Sequence, residues 1–97
     1  MNLLQRIFGA KQIAAMKAAL AALIDKEVDV IFDHNGPEII EAKLVEWLSG
    51  PIGRSLLGQM GLAAALEELD AILRRNYTDK GRRAVKEWLK GRLGVNR

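Results

Sequence analysis

Cysteine is absent from the chain, and the other residues that usually carry chemistry are scarce: two serines, one threonine and one histidine. Without cysteine there is no disulfide, no thiolate metal site and no thiol nucleophile. Ser49, Ser55 and Thr78 are the only aliphatic hydroxyls, and His34 is the only imidazole. His34 falls in an expected turn with no serine near it in sequence, so a Ser-His-Asp arrangement is poorly supplied. No catalytic residue is assigned, no cofactor is implied, and the chain reads as a non-enzyme. Long apolar runs are missing too. The most apolar window, Ile13 to Ile24, is broken by Lys17 and stopped by Asp25 and Lys26, short of the roughly 20 residues that cross a bilayer. The N-terminal stretch has basic residues but no signal-type cleavage pattern. The expectation is a cytoplasmic protein, or one held in a particle assembled in the cytoplasm.

What is present is alanine, leucine and charge. Apolar residues make up 49% and charged residues 28% of 97 residues, a globular balance sized for one small domain, 1–97. Alanine and leucine favour helix. Apolar positions Ile13, Met16, Leu20, Leu23/Ile24, Val28 and Ile31 step by three or four, so a helix is expected from Ala10 to about Asp33. Val28 to Phe32 also suits a strand by propensity. Shorter helices are expected over Asn2 to Phe8, Pro37 to Leu48 and Asp79 to about Leu93, and a longer one over about Arg54 to Arg75. Gly58 and Gly61 should kink or split that longer helix. Gly36 suits a left-handed helix end, and Thr78 an N-cap.

The fold expected is therefore all-α, a bundle of four to five helices. Its core should hold Ile13, Leu20, Ile24, Ile31, Ile40, Leu44, Trp47, Leu48, Leu62, Leu66, Leu69, Ile72, Leu73, Val85, Trp88 and Leu89. Glu46-Trp47-Leu48-Ser49-Gly50-Pro51-Ile52-Gly53 recurs 41 residues later as Glu87-Trp88-Leu89-Lys90-Gly91-Arg92-Leu93-Gly94. The same offset aligns Glu27 with Glu68, Asp29 with Asp70 and Asn35 with Asn76. Only 12 of 56 overlapping positions are identical, so the stronger sign is that helix breaks fall in step. Two degenerate helix-pair units, 12–53 and 53–94, are expected. Two units are fewer than a solenoid needs to cover its ends.

Charge is unevenly spread. Residues 1–73 carry six basic and ten acidic side chains, net −4, whereas residues 74–97 carry nine basic and two acidic, net +7. Asp25, Asp29 and Asp33 form an acidic ladder at i, i+4 and i+8. A hard cation at that ladder would lack ligands from a second element, so no metal site is assigned. Arg82, Lys86 and Lys90 step by four along the last helix, with Arg83 and Arg92 beside them, opposite an apolar stripe of Val85, Trp88, Leu89 and Leu93. That basic stripe is the expected partner-binding surface. It has three uses: docking on the acidic ladder of the same or a neighbouring chain, neutralising nucleic-acid phosphates, or simple solvation.

Leu48-Ser49-Gly50-Pro51-Ile52-Gly53-Arg54 resembles the hairpin of helix-hairpin-helix DNA-binding motifs. There, amides of a Gly-hydrophobic-Gly turn face a phosphate and a basic residue follows. This chain has one residue more between its glycines, and Pro51 removes a donor. The functional expectation is a structural or assembly subunit that self-associates or docks into a larger complex, such as a virion. The alternative is a small nucleic-acid-binding accessory protein using the basic last helix. A regulator that inhibits another protein by surface mimicry is a third reading.

Overall fold

A computed structural model describes residues 9–95. Four helices fill most of that span: α1 (Ala10–His34), α2 (Pro37–Ser49), α3 (Pro51–Leu73) and α4 (Asp79–Arg92). The protein is all-α, and no strand occurs among the described residues. The helix expected over Asn2 to Phe8 lies outside them. Val28 to Phe32 is helical despite its β propensity. Ile24, Val28, Ile31 and Phe32 all become buried on one side of α1, and that tertiary packing outweighs the local preference.

The helices alternate long and short, at 25, 13, 23 and 14 residues. Each packs on its chain neighbour, α4 closes back onto α1, and no close backbone approach joins the diagonal pairs. The bundle measures 44 × 25 × 20 Å. At 1.5 Å per residue α1 alone is about 37 Å long, so α1 sets the long dimension.

The buried core is Ile24, Val28, Ile31 and Phe32 from α1, Ile40, Leu44 and Leu48 from α2, Ala65, Leu69 and Leu73 from α3, and Val85 and Leu89 from α4. Leu20, Trp47, Leu62, Leu66, Ile72 and Trp88, expected inside, are half-buried around it. Ile13 is not part of the core cluster and instead lines an apolar groove near the start of α1. The completely buried line of α3 is Ala65, Leu69 and Leu73, a strict i, i+4, i+8 row whose small first member escaped the expectation.

The turns correct several local readings. Gly36 is extended (φ −81°, ψ 168°), not left-handed, and serves as the N-cap of α2. At the end of α1, His34 Nδ1 donates to Val30 O at 2.9 Å and Asn35 Nδ2 donates to Ile31 O at 2.8 Å, which satisfies two terminal carbonyls. Pro51 starts α3 directly, so a single residue, Gly50, joins α2 to α3. No hairpin loop of the helix-hairpin-helix kind is left. Thr78 does occupy the N-cap of α4, but its hydroxyl turns back to Asn76 Oδ1 and does not cap the helix. The kink in α3 falls at Gly58 (φ 71°, ψ 169°), within the pair of glycines expected to cause it.

Candidate functional site

The acidic ladder and the basic stripe meet inside one chain. α1 and α4 lie side by side, and the two rows of charge run antiparallel. Lys90 Nζ lies 2.7 Å from Asp25 Oδ1, Lys86 Nζ lies 2.7 Å from Asp29 Oδ1, and Arg82 Nη1 lies 3.1 Å from the same Asp29 oxygen. Arg82 Nη2 reaches Asp33. Residues four apart on one helix therefore meet residues four apart on the other, rung by rung. The carboxylate repulsion expected at i, i+4 is relieved by cations from the facing helix.

The basic stripe borders the apolar stripe; the two are not opposite each other. At roughly 100° per residue Arg82 and Leu89 are only about 20° apart around the helix. Burying Val85 and Leu89 against the core thus carries Arg82, Lys86 and Lys90 towards α1. Their side chains are 23%, 18% and 17% exposed, so their charged ends are spent on the seam and not offered to solvent.

Arg82 anchors the seam. Its guanidinium bridges Asp29 and Asp33 and sits over the Phe32 ring, 5.6 Å from the centroid. Its Nε is buried without a hydrogen-bond partner. Hydrogen bonds to the charged forms shift both sides. The Lys86 bond, and after it the Arg82 bond, holds Asp29 below its ordinary 3.8 against the desolvation that would raise it. Asp33, and after it Asp29, raises Arg82 above its ordinary value.

The other two basic residues of the expected site lie elsewhere. Arg92 faces α3: its Nη1 donates to Glu68 Oε2 at 2.7 Å and its Nη2 to Gly61 O at 3.0 Å. Trp88 Nε1 donates to the same Glu68 oxygen at 2.7 Å. Arg83 is exposed and forms no ion pair among the described residues. The candidate surface thus splits three ways, into a closed seam, a Glu68-Trp88-Arg92 cluster and one outward cation.

Two of the open surfaces among the described residues are apolar or border a tryptophan. Ile13, Met16, Leu20, Leu56, Leu93 and Val95 line an apolar groove of about 450 Å³ beside the first half of α1. A second cavity of about 430 Å³, at the α2–α3 turn, is lined by Trp47 together with Glu27, Lys43, Glu46, Pro51 and Ile52. The indole N–H of Trp47 is buried and has no acceptor among the described residues. Sequence reasoning missed Glu27 and Glu68 as tryptophan neighbours. The signal was present, because Glu27/Glu68 and Trp47/Trp88 are both identities at the 41-residue offset.

Among the described residues no group of three or more His, Cys, Asp or Glu is arranged to hold a metal ion. No described helix is long and apolar enough to cross a membrane. Comparison with protein-family models, curated proteins and solved structures finds no match to the chain.

Proposed function

We propose that the chain is a non-enzymatic assembly subunit that self-associates or docks into a larger protein complex through the first half of α1. The observation that carries this reading is an imbalance within one helix. From Ala10 to Leu23 no residue of α1 is buried, Ile24 being the first. Yet Lys11, Gln12 and Lys17 are the only polar residues of that stretch. A helix stretch on which Met16 and most of the alanines are exposed, and Ile13, Leu20 and Leu23 are only half-covered, offers a contact surface for another protein. The groove of Ile13, Met16 and Leu20 gives it shape. Acid-to-base docking between chains is no longer needed for this reading, because the Asp25–Asp29–Asp33 ladder meets its cations within the chain.

Sedimentation over a wide concentration range tests the proposal. Self-association, or a partner recovered from the native source, should weaken at least tenfold on Met16→Glu or Leu20→Glu. A chain that stays monomeric at high concentration and captures no partner overturns it. The nucleic-acid reading moves to a different surface. Arg82, Lys86, Lys90 and Arg92 are committed to carboxylates, which leaves Arg75, Lys80 and Arg83, exposed around the α3–α4 turn and without ion pairs among the described residues. A gel shift with random-sequence DNA and RNA that is lost on charge removal at those three residues would favour it over assembly.

A further inference from the structure

We propose that the cavity beside Trp47 receives the guanidinium group of an arginine from a second copy of this chain. The proposal rests on the assembly reading and adds a specific contact to it. Its template lies within the molecule. In the second half, Glu68 on the long helix α3 accepts from Trp88 Nε1 and from Arg92 Nη1 through one oxygen, both at 2.7 Å. Arg92 follows Trp88 by four residues, one helical turn, and so reaches the same carboxylate.

The first half carries the same glutamate and the same tryptophan at the 41-residue offset, Glu27 on α1 and Trp47 on α2. Both line one cavity. The third member differs. Four residues after Trp47 stands Pro51, which brings no donor and starts α3. The consequences are visible at both partners. Trp47 Nε1 is buried with no acceptor, and Glu27 makes no hydrogen bond or ion pair among the described residues. A buried donor without an acceptor is costly, and an indole face beside two carboxylates, Glu27 and Glu46, suits a planar cation. Among the described residues Lys43 is the only cation lining the cavity, and its ammonium lies 3.6 Å from Glu46. A guanidinium entering from outside lets Glu27 accept from it and from Trp47 Nε1 together, as Glu68 does for Arg92 and Trp88.

The chain itself supplies the arginine. Its last quarter is net positive, and Arg75 and Arg83, on the turn before α4 and on α4, are exposed and form no ion pair among the described residues. The cavity lies instead among α1, α2 and the start of α3, in the net-negative part. Donor and acceptor surfaces are therefore different patches, and the contact is head-to-tail.

Sedimentation of Glu27→Gln, Trp47→Phe and the double variant Arg75→Gln/Arg83→Gln tests this, with helicity and thermal unfolding confirming that each folds. Each should raise the self-association constant for dissociation tenfold or more. A mixture of Glu27→Gln with Arg75→Gln/Arg83→Gln should form a one-to-one complex and stop there, because only one intact cavity and one intact arginine patch can meet. In a Trp88→Phe background, Trp47 emission should respond to ethylguanidinium only while Glu27 is present. Self-association unchanged by Glu27→Gln and Trp47→Phe overturns the proposal while leaving the assembly reading standing. A monomeric chain whose Trp47 responds to ethylguanidinium overturns the second copy as the source. A monomeric chain with no response overturns the site and removes its support for assembly.

Discussion

Arg82 shows how one side chain can define an interface between helices. Its guanidinium spans Asp29 and Asp33, and its central carbon sits over the Phe32 ring. A lysine has one compact ammonium and cannot bridge two carboxylates a turn apart. Arg82→Ala should therefore lower stability by about 1–2 kcal/mol, since hydrogen bonds to charged groups exceed the value of exposed ion pairs. Arg82→Lys should lose roughly half as much. Arg83→Ala, one residue along, exposed and without an ion pair among the described residues, should stay within about 0.5 kcal/mol of wild type. Urea unfolding of the three variants checks the order, and an Arg83→Ala effect as large as that of Arg82→Ala would contradict the assignment. At this scale the sequence was partly legible. The spacing of Asp25, Asp29 and Asp33 against Arg82, Lys86 and Lys90 was visible as matching ladders. What placed Arg82 and left Arg83 outside was the burial of Val85 and Leu89, which depends on the facing helix.

The helices are bounded by glycines that do different work at similar positions in the sequence echo. Gly53 and Gly81 each sit three residues past an N-cap, Gly50 and Thr78. A Cβ on Gly53 would run into Leu48 O, and one on Gly81 would run into Asn76 O. Both obstacles are backbone, so no side chain can swing aside. Gly53→Ala and Gly81→Ala should each cost about 1–3 kcal/mol, as overpacked sites do. Gly36→Ala meets nothing within 4 Å and has negative φ, so it should cost only about 0.5–1 kcal/mol, that of a poorer N-cap; thermal unfolding of the three separates them. The echo's last glycines differ. Gly53 is helical, whereas Gly94 is left-handed (φ 68°) and ends α4 with Gly94 N–H on Gly91 O and Val95 N–H on Lys90 O, a Schellman ending. Helix positions, lengths and the Gly58 kink were legible from periodicity and glycine placement. The roles of individual glycines were not, because they depend on how closely the preceding turn approaches.

At the scale of the whole molecule, the seam ties the first helix to the last. It couples residues 49 or more positions apart in the chain, and so it bears on global stability and not on one helix alone. Which partner the acidic ladder takes was not legible in the sequence, since intramolecular docking and docking on a neighbour use the same charges. The antiparallel closing of α4 on α1 decides it. The pH consequence follows from Asp29. Its carboxyl is held below 3.8 in the folded protein by Lys86 and Arg82, so near that pH the unfolded chain binds more protons than the folded one. Stability then rises with pH. The contribution of Asp29 is complete above 3.8 and disappears as pH falls through the lower folded value. Wild-type protein unfolded by urea at a series of pH values from about 6 down to 2 should lose stability most steeply below about pH 4. Asp29→Asn should start less stable and show a shallower slope over that interval, because its side chain cannot take up the proton. The two curves should converge at the acid end. Parallel curves would mean that the acid sensitivity lies in other carboxylates and that Asp29 does not hold α1 to α4. Molar salt should act in the same direction, narrowing the gap between wild type and Asp29→Asn, since at a screening length of about 3 Å the partly exposed Asp29 carboxylate is held less strongly by Lys86 and Arg82.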